Sequence, residues 1–258
     1  MIRNTAKKIY IAFIFIFLYA PIATLIVLSF NASRTRAKWG GFTLKWYSEL
    51  FQNEEIMQAL FNTLFIALVA SVVATVIGTI ACISIMNLKK HSRSIVMGIT
   101  NIPMLNADIV TGISLMLLFI SFGLRFGLGT ILLSHITFCI PYVILSVTPR
   151  MKQLNPHTYE AALDLGAGPV YGFFKVVLPD ILPGVLSGFL MAFTMSLDDF
   201  IITHFTKGAG VDTLSTKIYT EVKKGIKPEM YALSTIIFVT VLVLLFLVNK
   251  APSGKNKK

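Results

Sequence analysis

Long apolar runs separated by short basic turns limit this chain's fold more than any other feature. The first run, IYIAFIFIFLYAPIATLIVLSF at residues 9–30, follows Arg3, Lys7 and Lys8. A helix of this length, rising 1.5 Å per residue, crosses about 30 Å of hydrocarbon. The run exceeds the apolar core of a secretory signal and no small-residue cleavage site follows, so it reads as a retained span. Five more runs lie near 60–87, 95–122, 127–148, 181–203 and 229–249. Hydrocarbon offers no partner for a backbone N–H or C=O, which leaves only helices or a closed barrel. The runs lack the alternation of barrel strands. The expected class is therefore all-α: a polytopic integral membrane protein with six transmembrane helices.

Charged residues make up only 14% of the chain. A soluble domain carries about a quarter. The net charge of +11 does not point to nucleic acid, because many of the basic residues flank apolar runs, where they meet headgroups and water. The shortest basic segments (Lys7 and Lys8; Lys89, Lys90 and Arg93; and the tail from Lys250) favour both termini in the cytoplasm. Cys82 and Cys139 sit in apolar runs, form no CxxC, and read as small core residues. The outer loop 31–59 carries Trp39, Trp46 and Tyr47, either as an interfacial belt or as a surface that meets a partner.

The inner loop and the start of the fifth run read NPHTYEAALDLGAGPVYGFFKVVLPDILP, residues 155–183. Asn155 is suited to cap a helix, Pro156 to its first position, and Gly166 to its left-handed end. Pro169 starts a second short helix and Pro179 is expected to end it. On these grounds alone the loop is an amphipathic connector. Its residues also resemble a known signature. Glu160, Ala161 and Ala162, then Gly166 after three residues, then Val176-x-Leu178-Pro179 after nine, resemble the EAA motif of ABC importer permeases, with Val176 where isoleucine is usual. The resemblance implies the type I permease fold. It also implies that Glu160, Ala161, Ala162, Gly166, Leu178 and Pro179 couple the chain to a cytoplasmic ATPase dimer. The chain has no G-x-x-x-x-G-K-[ST] loop, so no cofactor is expected in it and ATP with Mg belongs to the partner. It is expected not to be an enzyme. No catalytic or metal residue is expected.

Three acids fall within the runs: Asp108, Asp198 and Asp199. A charge at the bilayer centre costs about 3 kcal/mol on insertion scales, so such residues face a bundle interior or a watery cavity. Asp108 sits in NIPMLNADIVTG, where Pro103 and polar neighbours fit a broken helix lining a cavity. Asp199 lies about 100° round a helix from Asp198, so the two are not expected to face one lumen equally. The inner stretches of the runs hold no Lys or Arg, and His135, near the start of its run, is expected to make a local hydrogen bond. Either these acids pair with basic residues such as Lys207 or Arg125 or with polar groups of a partner, or they need an external cation; the second reading is favoured for Asp108 and Asp198 and points to a cation pathway. For Asp199, pairing with a basic or polar neighbour is an equal alternative. Gly184 and Gly188, spaced GxxxG, read as simple tolerance within a helix or as a close contact.

The stretches KWYSELF, ADIVTGISLMLLF, SHITFCIPYVI, SLDDFIITHF and LSTKIYTEVKKGIKPEMYALSTI resemble the C-type permeases of spermidine/putrescine ABC importers, within the binding-protein-dependent inner membrane components. The resemblance covers most of the chain. It implies polyamine uptake by alternating access, with Asp108, Asp198 and Asp199 as the substrate pathway. It also implies a second homologous permease subunit and an extracytoplasmic polyamine-binding protein. The expected organisation is a first helix and outer loop at 1–58, a permease core at 59–250 with its coupling loop at 155–183, and a basic cytoplasmic tail at 251–258. Two rival classes are an importer of another cationic solute and an intramembrane aspartyl protease. The protease needs two carboxylates sharing a proton and leaves the coupling loop unexplained. A proton-coupled secondary transporter would show inverted repeats, and none is evident.

Overall fold

The computed structural model describes residues 2–35 and 37–250, so the basic tail at 251–258 lies outside the described residues. Regular structure among the described residues is helical, apart from one β-bridge between Asn31 and Phe42. The chain divides into two compact units: residues 58–217, and the residues up to 57 together with those from 218 onward.

The second of these holds α1 (Ile2–Ser29), α2 (Lys45–Gln52) and the last helix, Pro228–Lys250, against which both pack. The loop after α1 is built around Asn31. The Asn31 side-chain oxygen accepts from the amides of Ser33 and Gly40 at 3.1 and 2.8 Å. The Trp46 indole donates to the Asn31 carbonyl at 2.7 Å and is buried. Trp46 is therefore an anchor inside the loop, whereas Trp39 is exposed.

The central unit contains most of α3 (Glu54–Met86), then α4 (Lys90–Leu105), α5 (Asp108–Ser121) and α6 (Leu128–Gln153). It continues with α7 (Pro156–Asp164), α8 (Pro169–Gly172), a π-helical turn (Phe173–Val177), α9 (Leu178–Asp198) and α10 (Ile201–Thr206). α11 (Leu214–Lys224) follows, and the last helix is α12. α6 is the spine of this unit, packed on α9, α10 and α4. Lipid is as apolar as leucine, so close packing rather than water exclusion must hold such helices together. Glycine makes it possible here. A Cβ at Gly78 would sit 2.8 Å from Val143 Cβ, and one at Gly188 would sit 3.3 Å from Val143 Cα. A Cβ at Gly184 would meet the Ser146 carbonyl at 3.2 Å. The GxxxG pair thus marks a close contact within the chain, between α9 and α6, rather than simple tolerance. Cys82 and Cys139 are buried free thiols in the same core.

The third apolar run is broken, as Pro103 and its polar neighbours lead one to expect: α4 and α5 meet at 103° across the extended residues Asn106 and Ala107. Pro103, in the last turn of α4, removes a helical donor just before the break. Asp108 is therefore the first residue of a helix, not the middle of one. Pro179 does not end a helix either. The chain stays helical through it, because the π turn lets Leu178 N–H reach the Phe173 carbonyl and absorbs the misfit of the proline ring.

Four helices among the described residues are long and apolar enough to cross a membrane: Tyr10–Ser29, Glu54–Met86, Leu128–Gln153 and Pro169–Asp198. The bent pair makes five if taken as one span. The sixth apolar run falls in α12, where the side chains of residues 241 and 243–250 lie outside the described residues.

Gly78→Ala should destabilise the unit by about 1–3 kcal/mol through overpacking against Val143. Gly98→Ala, whose methyl group meets nothing within 4 Å, should not. Thermal unfolding of the purified proteins in one detergent compares the two.

Candidate functional site

A cleft of about 370 Å³ opens between α5, α6 and the α9–α10 corner. Helix ends supply its acids. Asp108 opens α5 and Asp198 closes α9. α6 contributes Phe138 and Tyr142, one turn apart, and Thr194 lies one turn before Asp198. Asp108, Thr194 and Asp198 are all exposed in this chain. Among the described residues, neither Asp108 nor Asp198 has an ion-pair partner or a side-chain hydrogen bond. Lys207 lies nearby in sequence but pairs with Asp212 instead.

Asp199 lines the same cleft, yet its oxygens are engaged. The helix ends at Asp198 and Asp199 is extended, so the 100° offset of a continuous helix does not apply. Asp199 Oδ2 accepts from the Thr203 amide at 2.7 Å and the Thr203 hydroxyl at 2.8 Å, and Oδ1 accepts from the Ile202 amide at 3.2 Å. His135 Nε2 stands 3.5 Å from Oδ2. Asp199 therefore caps the first turn of α10, where orphan amides and the helix dipole favour a carboxylate.

His135 is the hub of this corner. It is 1% exposed, with Nδ1 2.6 Å from Ser196 Oγ and Nε2 2.9 Å from Thr203 Oγ1. Its bonds are long-range: α6 is tied to α9 and α10 through one ring. The sequence predicts a local bond for His135 and does not single out Ser196 and Thr203, whose small hydroxyls flanking the acid pair in an apolar run are the available signal.

Beyond α10 the loop is pinned to α3. Asn62 Nδ2 donates to the Asp212 carbonyl at 3.0 Å, and the Leu214 amide donates to Thr63 Oγ1 at 2.7 Å. Burial pushes the Asp212 carboxyl up, but the Lys207 ammonium bonded to it outweighs burial and holds it below the usual carboxylate range. A lowered folded-state value contributes stability above the unfolded value of about 3.9 and loses it as pH falls through the folded one. The anchor is thus constant at neutral pH and lost in acid.

The residues of the EAA motif form a second, separate surface. Asn155 Oδ1 accepts the His157 amide at 3.1 Å and starts α7. Glu160 is exposed and faces His157 Nδ1 at 3.2 Å. At the far end Gly166 has φ +87°, with Gly166 N–H on the Leu163 carbonyl at 2.9 Å and Ala167 N–H on the Ala162 carbonyl at 3.1 Å. This is a Schellman ending, and it is the backbone conformation, not lack of room, that calls for glycine: a Cβ there would meet nothing within 4 Å. Room matters instead at Gly172, a position the motif does not include, where a Cβ would lie 3.1 Å from the Tyr159 ring. Ala161 and Pro179 are exposed, and Ala162 and Leu178 are half-buried. Leu165, Val170, Tyr171 and Phe174 expose apolar surface beside them.

Asp199→Asn should destabilise the protein by about 1–3 kcal/mol, because its buried donors lose a charged acceptor. Asp198→Asn should leave stability unchanged within about 0.5 kcal/mol, as an unpartnered group does. Thermal unfolding at neutral pH separates the two.

Residues 74–251 match the family of binding-protein-dependent transport system inner membrane components. Over its whole length the chain is 37% identical to the spermidine/putrescine transport system permease protein PotC of Escherichia coli, covering 97% of that protein. It is 36% identical to the putrescine transport system permease protein PotI of the same organism, over 96% of this chain and 90% of that one. A PotC homolog of Mycoplasma genitalium is 31% identical over 99% of this chain and 95% of that one. Among solved structures, a bacterial ABC transporter involved in import of the acidic polysaccharide alginate superposes with TM-score 0.75 at 14% identity, over 98% of this chain and 97% of that one. With its apolar helices and this fold, the chain belongs to the binding-protein-dependent transport system inner membrane components and is a membrane-embedded ABC importer permease.

Proposed function

We propose that this chain carries polyamines, spermidine and putrescine, into the cytoplasm as one of two homologous permease subunits in an ATP-driven importer. The observation that carries the reading is the pair Asp108 and Asp198, two carboxylates without partners among the described residues on one cleft beside aromatic rings. A polyamine is a flexible chain of ammonium groups. Carboxylates replace the water around such charges, and Phe138 and Tyr142 offer ring faces to them. A cleft with few acids binds weakly enough to release its cargo. The full-length likeness to permeases named for spermidine and putrescine supports the same cargo. The alginate importer supports only the fold, since one fold serves unlike cargoes.

In this reading Asp108 and Asp198 touch the substrate. Asp199 holds the corner that presents Asp198. Glu160, Ala161, Ala162, Gly166, Leu178 and Pro179 belong to the surface that docks on a cytoplasmic ATPase dimer, where ATP and Mg bind. This chain performs no covalent chemistry. Six spans place both termini in the cytoplasm, with residues 59–250 as the permease core, 1–58 as the preceding helix and outer loop, and 251–258 as a cytoplasmic tail. A binding protein delivers cargo to the outer loops. ATP-driven closure of the ATPase dimer moves the coupling loop, and the cleft opens outward and then inward.

Asp108→Asn and Asp198→Asn should each lower uptake of labelled spermidine and putrescine at least tenfold while the complex still assembles. Full uptake by both variants contradicts the route. Gly166→Val should reduce co-purification of the ATPase, whereas Gly166→Asn, which tolerates the left-handed conformation, should largely retain it. Equal co-purification would separate Gly166 from docking.

A further inference from the structure

A second cleft, of about 260 Å³, lies at the opposite end of α6 from the acidic corner. The end of α3, the first turns of α4 and the last turns of α6 enclose it. Lys90, Arg93 and Lys152 line it, with Thr148, Met86 and Met97 between them. No acidic residue is in the lining. Among the described residues none of the three cations has an ion pair. Basic residues that merely flank a span spread into water. Here three come from two helices onto one cleft, and Arg93 is half-buried. Like charges held together repel, so the arrangement favours an anion between them.

The surroundings narrow the anion. α3 and α6 are apolar enough to span a membrane, so a cleft at their ends lies at headgroup depth. Ile80 on α3 and Ile95 and Ile99 on α4, all within two turns of the cleft, are exposed and apolar. A ligand placed here meets cations at one end and hydrocarbon-like surface along its length. Arginine pairs with phosphate oxygens two at a time, and lysine adds point charge. We propose that this cleft binds the phosphate of an anionic phospholipid, with its acyl chains lying along the exposed isoleucines. Such a lipid would brace α4 against α3 and α6 at the end from which α7 leaves. The assignment does not depend on the identity of the cargo.

The test uses the full chain in its native membrane assembly, exchanged into nanodiscs of equimolar phosphatidylcholine and phosphatidylglycerol. Native mass spectrometry then counts the lipids retained on release. The unaltered protein should keep phosphatidylglycerol in preference to phosphatidylcholine. Each of Lys90→Gln, Arg93→Gln and Lys152→Gln should weaken that retention about fivefold, and the three together about a hundredfold. Lys38→Gln, in the outer loop, should not change it. Arg93→Lys should weaken it less than Arg93→Gln. The single variants keep the test decisive if the triple variant fails to assemble. Unchanged phosphatidylglycerol retention in the three single variants overturns the proposal. So does displacement of the lipid by soluble glycerol 3-phosphate at equal concentration, which would make this a site for a dissolved phosphate. A zero-length cross-link from Lys152 to a carboxylate of another protein subunit would equally replace the lipid with a protein contact.

Discussion

Hydrocarbon supplies neither counter-charge nor hydrogen bond, so a carboxylate set within an apolar run needs a partner in the protein or a watery cleft to face. Adjacent residues resolve this in opposite ways. Asp199 is answered by two amides, a hydroxyl and the nearby His135 ring. Asp198, one residue earlier, has no ion pair among the described residues and faces the cleft with Asp108. The first arrangement makes the second possible. The His135–Ser196–Thr203 network joins three helices and holds the point where α9 stops and α10 begins. Without it the corner would have no fixed direction in which to present Asp198.

The same economy of groups shapes the packing. Where water cannot drive helices together, contact area must come from close approach. Val143 on α6 is met from two sides by glycines, Gly78 on α3 and Gly188 on α9. α9 is thereby seated firmly on α6 along its length. Its N-terminal end runs without a break into the π turn and α8, so that Pro169–Asp198 is a single helical stretch of 30 residues. At 1.5 Å per residue this is about 45 Å long. Pro169, at the end of the loop that carries Glu160 and Gly166, and Asp198 thus stand at the two ends of one rod. In the proposed mechanism, a push at the ATPase end reaches the cleft through backbone hydrogen bonds rather than through a chain of side-chain contacts. The π turn at Phe173–Val177 lies along the way, next to Leu178 and Pro179.

Much of this was legible in the sequence, because membrane burial writes a strong signal. The helical class followed from the length of the apolar runs, and the family followed from the spacing around Glu160 and Gly166. The break before Asp108 is legible from Pro103 and its polar neighbours, and it falls at Asn106 and Ala107 within that stretch. What could not be read was anything set by three-dimensional pairing. Nothing local distinguishes Asp198 from Asp199, since their difference comes from where α9 ends and from Thr203 and His135 folding back onto one of them. Likewise Pro179 looked like a stop. Proline removes one helical donor, and the π turn just before it, with the Leu178 N–H on the Phe173 carbonyl, lets the helix continue. Nor could the GxxxG pair name its partner helix.

In the proposed function, Asp108 and Asp198 take their counter-charge from the cargo. The most direct measurement is a structure of the whole importer, trapped during turnover with spermidine present. Elongated density is expected in the cleft, with an amine within hydrogen-bonding distance of at least one of these two carboxylates, and His135 still holding Asp199. Carboxylates turned to lipid, or neutralised by a fixed lysine or arginine of the second permease subunit with no density between them, would contradict it.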